Sequence, residues 1–418
     1  MKQGKFVIPI SMLLLSLILI TCDTKNNVEP TFKNYFIRYY GEDGNHEAKD
    51  FVVNADGSVL ILAKEQIGIN ERIYLVKVDS DGEQLWTKTL GGNSESPLDI
   101  EKVSGQEEFY ILSNFLNSAG FSQIKVLKID QDGNKLDSIV YNNGGVINLD
   151  FIGSSITSMA DGGLIVAGST SDTTMTPADS NPAFIPIDQT DILSIRFTST
   201  LAIDPIWAKS FGGEPIGNAI KIIPDGDRFA FGGFSNTDKA SPGTNSFNIW
   251  LERLLSNGDA AGIEEFVGMS NLNERLVDMT KSAIGYMAVG TQTNLLDDIA
   301  TSRLIAVSVS SSFPSVLDTD ILLNEPSEGV AVTATSSSDY LVLANTIGAS
   351  GLRDIRLLKI NGVFQNFLEL SFGAPNNDDR GAAVAELPNG DILILGTMEL
   401  AGQQDKIALI KVRPDGTF

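Results

Sequence analysis

Titratable side chains fall at matching places along this chain. Glu47, Gly217, Glu274, Glu328 and Asp379 occupy similar positions in successive segments, and Arg275 and Arg380 directly follow two of them. Gathered around one opening, such carboxylates and guanidinium groups hold a cation or the hydroxyls of a sugar. Otherwise they simply solvate a wet entrance. Paired carboxyls also permit general acid–base cleavage of a glycosidic bond, an outcome set by separations that spacing does not reveal. His46, the single histidine, stands beside Glu47 and near Asp43. One imidazole among carboxylates suits a metal, although a lone histidine is more often incidental. Asp172, Asp179, Asp188 and Asp191 crowd another stretch, but their spacing matches no calcium loop. No cofactor is therefore expected, with calcium the one open option.

Other chemistry lacks its residues. There is no phosphate-cradling glycine loop, no H-E-x-x-H, and no G-x-S-x-G with a usable histidine. Cys22 is the only cysteine, so residues beyond it hold no disulfide, thiolate metal site or cysteine nucleophile. The formal charge of −23 repels nucleic acid phosphates and makes them unsuitable partners. Catalytic residues are not assigned, and a binding role is favoured over an enzymatic one.

The elements that must position these groups repeat. Four apolar residues followed by a small one end at Ala63, Ser113, Gly168, Gly233, Gly290, Ala344 and Gly396. Short apolar runs bounded by turns suit strands covered on both faces. Repeats of about this length mark propellers, solenoids or arrays. A third strand of the form I-x-x-x-[K/R] follows, with Lys77, Lys128, Arg196, Arg253, Lys359 and Lys411 at the basic place and Ser308 as the exception. Because the basic residue recurs in nearly every unit, it reads as structural. Asp-Gly and Asn-Gly pairs such as Asp56–Gly57, Asp81–Gly82 and Asn389–Gly390 supply hairpin turns between the strands. The last unit stops at Phe418 without a fourth strand, while residues 35–40 read as a fourth strand lacking a unit. These signals predict an all-β, seven-bladed β-propeller of four-stranded antiparallel blades over residues 35–418, closed by the N-terminal strand completing the last blade.

Strand order then sorts the loops. Tight turns share one face; the second-to-third loops and the blade connections share the other. The longest second-to-third loops, 169–191 and 234–248, sit in adjacent blades, and that face is where a ligand is expected. Glu47, Glu274, Arg275, Glu328, Asp379 and Arg380 are the candidate ligand-binding residues around its channel mouth.

The N-terminus is a processing signal. Lys2 and Lys5 precede an apolar run over 6–20, too short for a spanning helix, ending in L-I-T-C at 19–22. This resembles the lipobox of bacterial lipoproteins, with Thr21 departing from the usual small residue. It implies a signal peptide over 1–21, lipidation of Cys22 and a polar tether over 22–34. Loss of Lys2 and Lys5 would take the charge from −23 to −25. Together, the lipobox and the repeated "hairpin, strand, D-φ-x-φ-φ-K, turn, W-x-K-x-x-G-G" unit resemble a propeller lipoprotein of Gram-negative bacteria. The resemblance implies a lipid anchor in the cell envelope, at the outer rather than the inner membrane. It also implies a module that binds a protein or glycan; the alternative is a glycan-active enzyme using the mouth carboxylates.

Overall fold

A computed structural model describes residues 35–92, 94–145, 148–171, 176–177, 190–211, 217–236, 246–400 and 404–418. The expected signal peptide, Cys22, the tether, and Asp172, Asp179 and Asp188 lie outside the described residues. Every second strand is the index strand of the repeat, and its apolar run is buried on both faces: Leu164–Thr170 and Tyr340–Ile347 are buried throughout. Fourth strands such as Gln84–Leu90 are half-covered or exposed, whereas Ile203–Phe211 buries Trp207 and Phe211. Burial thus peaks in the second strand of each sheet and is lower in the innermost strand, such as Arg380–Glu386, and in the outer one.

Seven antiparallel sheets result, each with its first strand innermost and its fourth outermost. Their first strands are Asn45–Val53, Glu95–Lys102, Phe151–Ser158, Gly217–Asp225, Leu272–Lys281, Ser327–Ala334 and Arg380–Glu386, in blades 1 to 7. These first strands adjoin one another in cyclic order, and that of blade 7 touches that of blade 1. Phe36–Tyr40 pairs antiparallel with Gln404–Val412 and completes blade 7, as the sequence predicts. Blade 3 gains a fifth, two-residue strand, because Thr176 and Pro177 of the long loop lie parallel to Lys209 and Ser210.

The core is divided among the seams. Each of seven apolar clusters spans two neighbouring blades, and the closing seam is one of them: Tyr40, Phe51, Tyr74, Leu395 and Leu409 bury it from blades 7 and 1. Polar clamps stitch the same seams. The residue after the small one of an index strand reaches the next blade: Thr397 accepts from the Ala48 N–H at 2.9 Å, and Asn345 from the Gly381 N–H at 2.8 Å.

Two backbone details explain the small residues. Every innermost strand carries a β-bulge at the same place, skipping Lys49, Leu98, Ser154, Ile220, Val277, Val330 and Ala382. The carbonyl before the bulge leans on the index strand. A Cβ at Gly168 would stand 2.0 Å from the Ile152 oxygen, so only glycine fits there. At the lower turns, Trp86 lies over Gly133 and Trp207 over Gly258, both at positive φ. Here one residue both makes the turn and admits the neighbouring blade's aromatic ring. The basic residue of the third strands is structural too: Lys128 pairs with Glu108 at 2.6 Å, and Arg196 with Asp161.

Candidate functional site: the channel mouth and interior

Strand alternation sorts the candidate residues into two sets. Counting back from each bulge, Glu47, Ser96, Ile152, Asn218, Arg275, Glu328 and Arg380 are equivalent, and all are half-exposed. One residue earlier come His46, Glu95, Phe151, Gly217, Glu274, Ser327 and Asp379, and all are buried. Successive side chains of a strand point to opposite faces, so a slip of one residue exchanges the sets. The candidate carboxylates therefore do not form a single ring.

Glu274 and Asp379 fasten the connections between blades. Asp379 accepts from the Ala374 N–H at 2.8 Å and the Glu399 N–H at 3.0 Å. Glu274 accepts from Gln292 Nε2 at 2.9 Å and the Met269 N–H at 3.3 Å. Glu95, which sequence reasoning passed over, does the same for Gly92 at 3.0 Å while pairing with Lys125 at 2.7 Å. Burial raises the carboxyls of Glu274 and Asp379.

The half-exposed set makes a mouth of compensated charge on blades 5, 6, 7 and 1. Lys49 and Lys64 grip Glu47 at 2.5 and 2.9 Å. Burial opposes ionisation of Glu47, but the two ammonium groups overcome it and hold the carboxyl down at about 2. Arg353, which lies near Glu328 and Glu47, forks onto Asp378 at 2.8 and 2.6 Å. That hydrogen-bonded pair leaves the Asp378 carboxyl below its ordinary range. Arg380 joins Asp378 at 3.8 Å and Asp405 at 2.5 Å. Arg275 stands apart, forked onto Asp297 at 2.6 and 2.9 Å and stacked over Phe247, with Phe234 beside it. Those two rings meet edge to face and mark the described ends of the second long loop. On blades 2 to 4 the equivalent residues are Ser96, Ile152 and Asn218, which carry no charge.

A second tier of charge lies deeper, at the residues just past the bulges: Asp50, Asp99, Ser155, Lys221, Asp278, Ala331 and Ala383. Three of these aspartates accept a backbone N–H of a neighbouring innermost strand: Asp50 from Ile100 at 3.3 Å, Asp99 from Ile156 at 2.8 Å, and Asp278 from Val332 at 2.9 Å. Lys221 lies 3.6 Å from Asp278. Asp278, with Asp99, Asp50 and Glu101, raises the Lys221 ammonium far above its ordinary range. Burial, then hydrogen bonding and repulsion from Asp99, pushes the Asp50 carboxyl well up. Burial and Asp99 also lift Glu101 to about 7, against the pull of Lys221. These groups touch channel water yet are ringed by protein, so their charged forms lose much of their bulk hydration.

Sequence reasoning missed this tier because a bulge is invisible in one chain. A signal was nonetheless present: small–x–polar–apolar recurs as Ala48 to Phe51, Pro97 to Ile100 and Ala219 to Ile222, each ending in a buried residue. Among the described residues, no three His, Cys, Asp or Glu side chains assemble in a metal-binding arrangement.

No protein-family model and no curated protein matches the sequence. Solved structures do match the fold. The polysaccharide lyase Uly1 aligns over 90% of this chain and 92% of its own, at 8% identity and a TM-score of 0.52. An ulvan lyase of polysaccharide lyase family PL25 aligns over 91% and 97%, at 10% identity and a TM-score of 0.54. At such identities the likeness is one of architecture, and this chain is a seven-bladed β-propeller of the same overall form.

Proposed function

We propose that this chain is a lipid-anchored propeller of the bacterial cell envelope that binds a glycan at the channel mouth. The carrying observation is the mouth tier itself, where guanidinium and carboxylate groups alternate at half-exposed positions, with Glu47, Arg275 and Arg380 each held by an ion-pair partner and Glu328 beside Arg353. Such an array offers donors and acceptors side by side, as the hydroxyls of a sugar require, without a net charge that would select an ion. Phe234 and Phe247 add apolar surface at its edge. The fold shared with two polysaccharide lyases is consistent with a carbohydrate ligand and adds no residue roles.

Binding is favoured over turnover. A general acid or base works best with a pKa near the operating pH; at the mouth Glu47 is held at about 2 and Asp378 below its ordinary range, while Glu101, at about 7, lies deeper in the channel.

The test is a screen of full-length protein in detergent against purified polysaccharides, followed by calorimetry on any that bind. Replacing Glu328 and Arg380 together by alanine should weaken binding at least tenfold while leaving the melting temperature nearly unchanged. Unchanged affinity would remove the mouth from consideration. For the anchor, Cys22→Ser should abolish lipid attachment by mass spectrometry and release the protein from the membrane fraction.

A further inference from the structure

A second polar recess lies away from the mouth, at the upper outer edge of the seam between blades 7 and 1. It is an open crevice of about 790 Å³, roofed by the link at residues 41–43 that joins the closing strand to the first blade. Blade 1 contributes Glu65, Arg72 and Thr89, and blade 7 contributes Gln404 and Lys406. Glu65 pairs with Arg72 at 2.8 Å and receives the Thr89 hydroxyl at 3.4 Å. Lys406 is held differently. Its ammonium donates to the carbonyls of Glu42 and of Gly44, the latter at 3.1 Å, and among the described residues no carboxylate lies within ion-pair distance of it.

Behind the lining of this crevice, directly beneath Gly41, lies His46, with no exposed surface. Its ring stacks edge-on against Tyr74 at 4.6 Å, Nε2 stands 3.8 Å from Glu65, and the ring nitrogens make no well-aligned hydrogen bond, the Gly44 backbone being the polar group beside them. Gly41 crosses directly over the imidazole, where a Cβ would come within 2.7 Å of the ring. Buried polar atoms in folded chains are normally paired, so this region is polar, roomy and incompletely satisfied.

We infer that the seam crevice is a second saccharide site, taking one uncharged sugar residue between Arg72, Gln404, Lys406 and Glu65. The inference rests on the glycan reading above and extends it to a separate place on the molecule. Donors and acceptors interleave here as they do at the mouth. The rim carboxylates Glu42 and Asp43, with Glu65, outnumber the two cations by one, which disfavours a uronate or a sulfated sugar. Ile67, half exposed at the lip, offers an apolar edge for the C–H face of a ring. An occupant would touch the first blade, the last blade and the link between them, and so would hold the ring closed.

His46 makes the test direct, because one histidine gives one imidazole signal. Full-length protein without a histidine tag, labelled with ¹³C-histidine and held in detergent micelles, is titrated with cellotetraose, laminaritetraose and xylotetraose, and with oligogalacturonate for comparison. A neutral sugar should shift the His46 signal saturably, with oligogalacturonate at least tenfold weaker. Gln404→Ala, at an exposed position, and Arg72→Ala should each raise the Kd at least tenfold, whereas the Glu328/Arg380 double alanine variant should leave the shift intact. Calorimetric binding of a neutral sugar without any His46 shift overturns the crevice and spares the mouth. A shift lost only in the mouth variant overturns it as well, since the signal would then be transmitted from there. Tighter binding of oligogalacturonate would refute the uncharged class. If no sugar binds by either measurement, both readings fall.

Discussion

The mouth and the interior of the channel use the same residue types and titrate in opposite senses. At the mouth, each shifted carboxylate has a cation in hydrogen-bond contact: Glu47 with Lys49 and Lys64, Asp378 with Arg353, Asp297 with Arg275. All three fall below the ordinary range, Glu47 and Asp297 to about 2. A few residues further in, one lysine serves Asp50, Asp99, Glu101 and Asp278, and burial keeps Asp50 and Glu101 high. Pairing wins where cations are as numerous as acids; desolvation wins where they are not. A mouth of paired charges and an interior of desolvated ones are thus built from one repeat by changing the ratio of charges.

The sharpest way to break this contrast is to remove the interior cation. Lys221→Met should destabilise the protein by about 2–3 kcal/mol at pH 7, a figure reduced from that of a fully buried pair because channel water screens the site. The denaturation midpoint should recover substantially at pH 5, where Glu101 holds its proton and the raised Asp50 carboxyl is more readily protonated. A midpoint unchanged at both values would show that Lys221 compensates nothing.

Glu101→Gln tests the other half of the argument, with an expected effect of about 1 kcal/mol. In the folded chain the Glu101 carboxyl titrates at about 7 instead of 4.5. Between those values the folded state keeps a proton that the unfolded state releases, so the stability this group contributes is full below about 4.5 and lost as pH rises through 7. The glutamine variant should therefore match the parent near pH 4 and exceed it at pH 8. Parallel curves for the two proteins would mean that Glu101 does not titrate in this window.

The smallest effect belongs to the mouth. Glu47→Gln removes a partly exposed pair and should change stability by less than about 0.5 kcal/mol, and by less still in 1 M salt. A loss comparable to that of Lys221→Met would erase the distinction between the tiers.

What could be read without coordinates follows from locality. Apolar runs, small residues at their ends and Asp-Gly turns are short-range signals, and they specified the strands, the seven blades and even the partner of residues 35–40. The candidate site was legible only in part. Glu47, Arg275, Glu328 and Arg380 do share one tier, but Glu274 and Asp379 are turned inward by a single residue of register. The cations that set the mouth's charge, Lys64, Arg353 and Lys49, sit on other strands or in the bulge, where spacing along the chain carries no information about them.

The amino-acid sequence by itself determined the repeating unit, the ring and its closure, because each depends on a periodic pattern and on chain order. Only the tertiary structure decided which charges meet. The bulge in every innermost strand turns Asp50, Asp99, Asp278 and Lys221 into one channel from four separate blades. It does so through a displaced carbonyl and a two-against-one register, whose trace in the sequence, small–x–polar–apolar, does not say which blades' charges will meet.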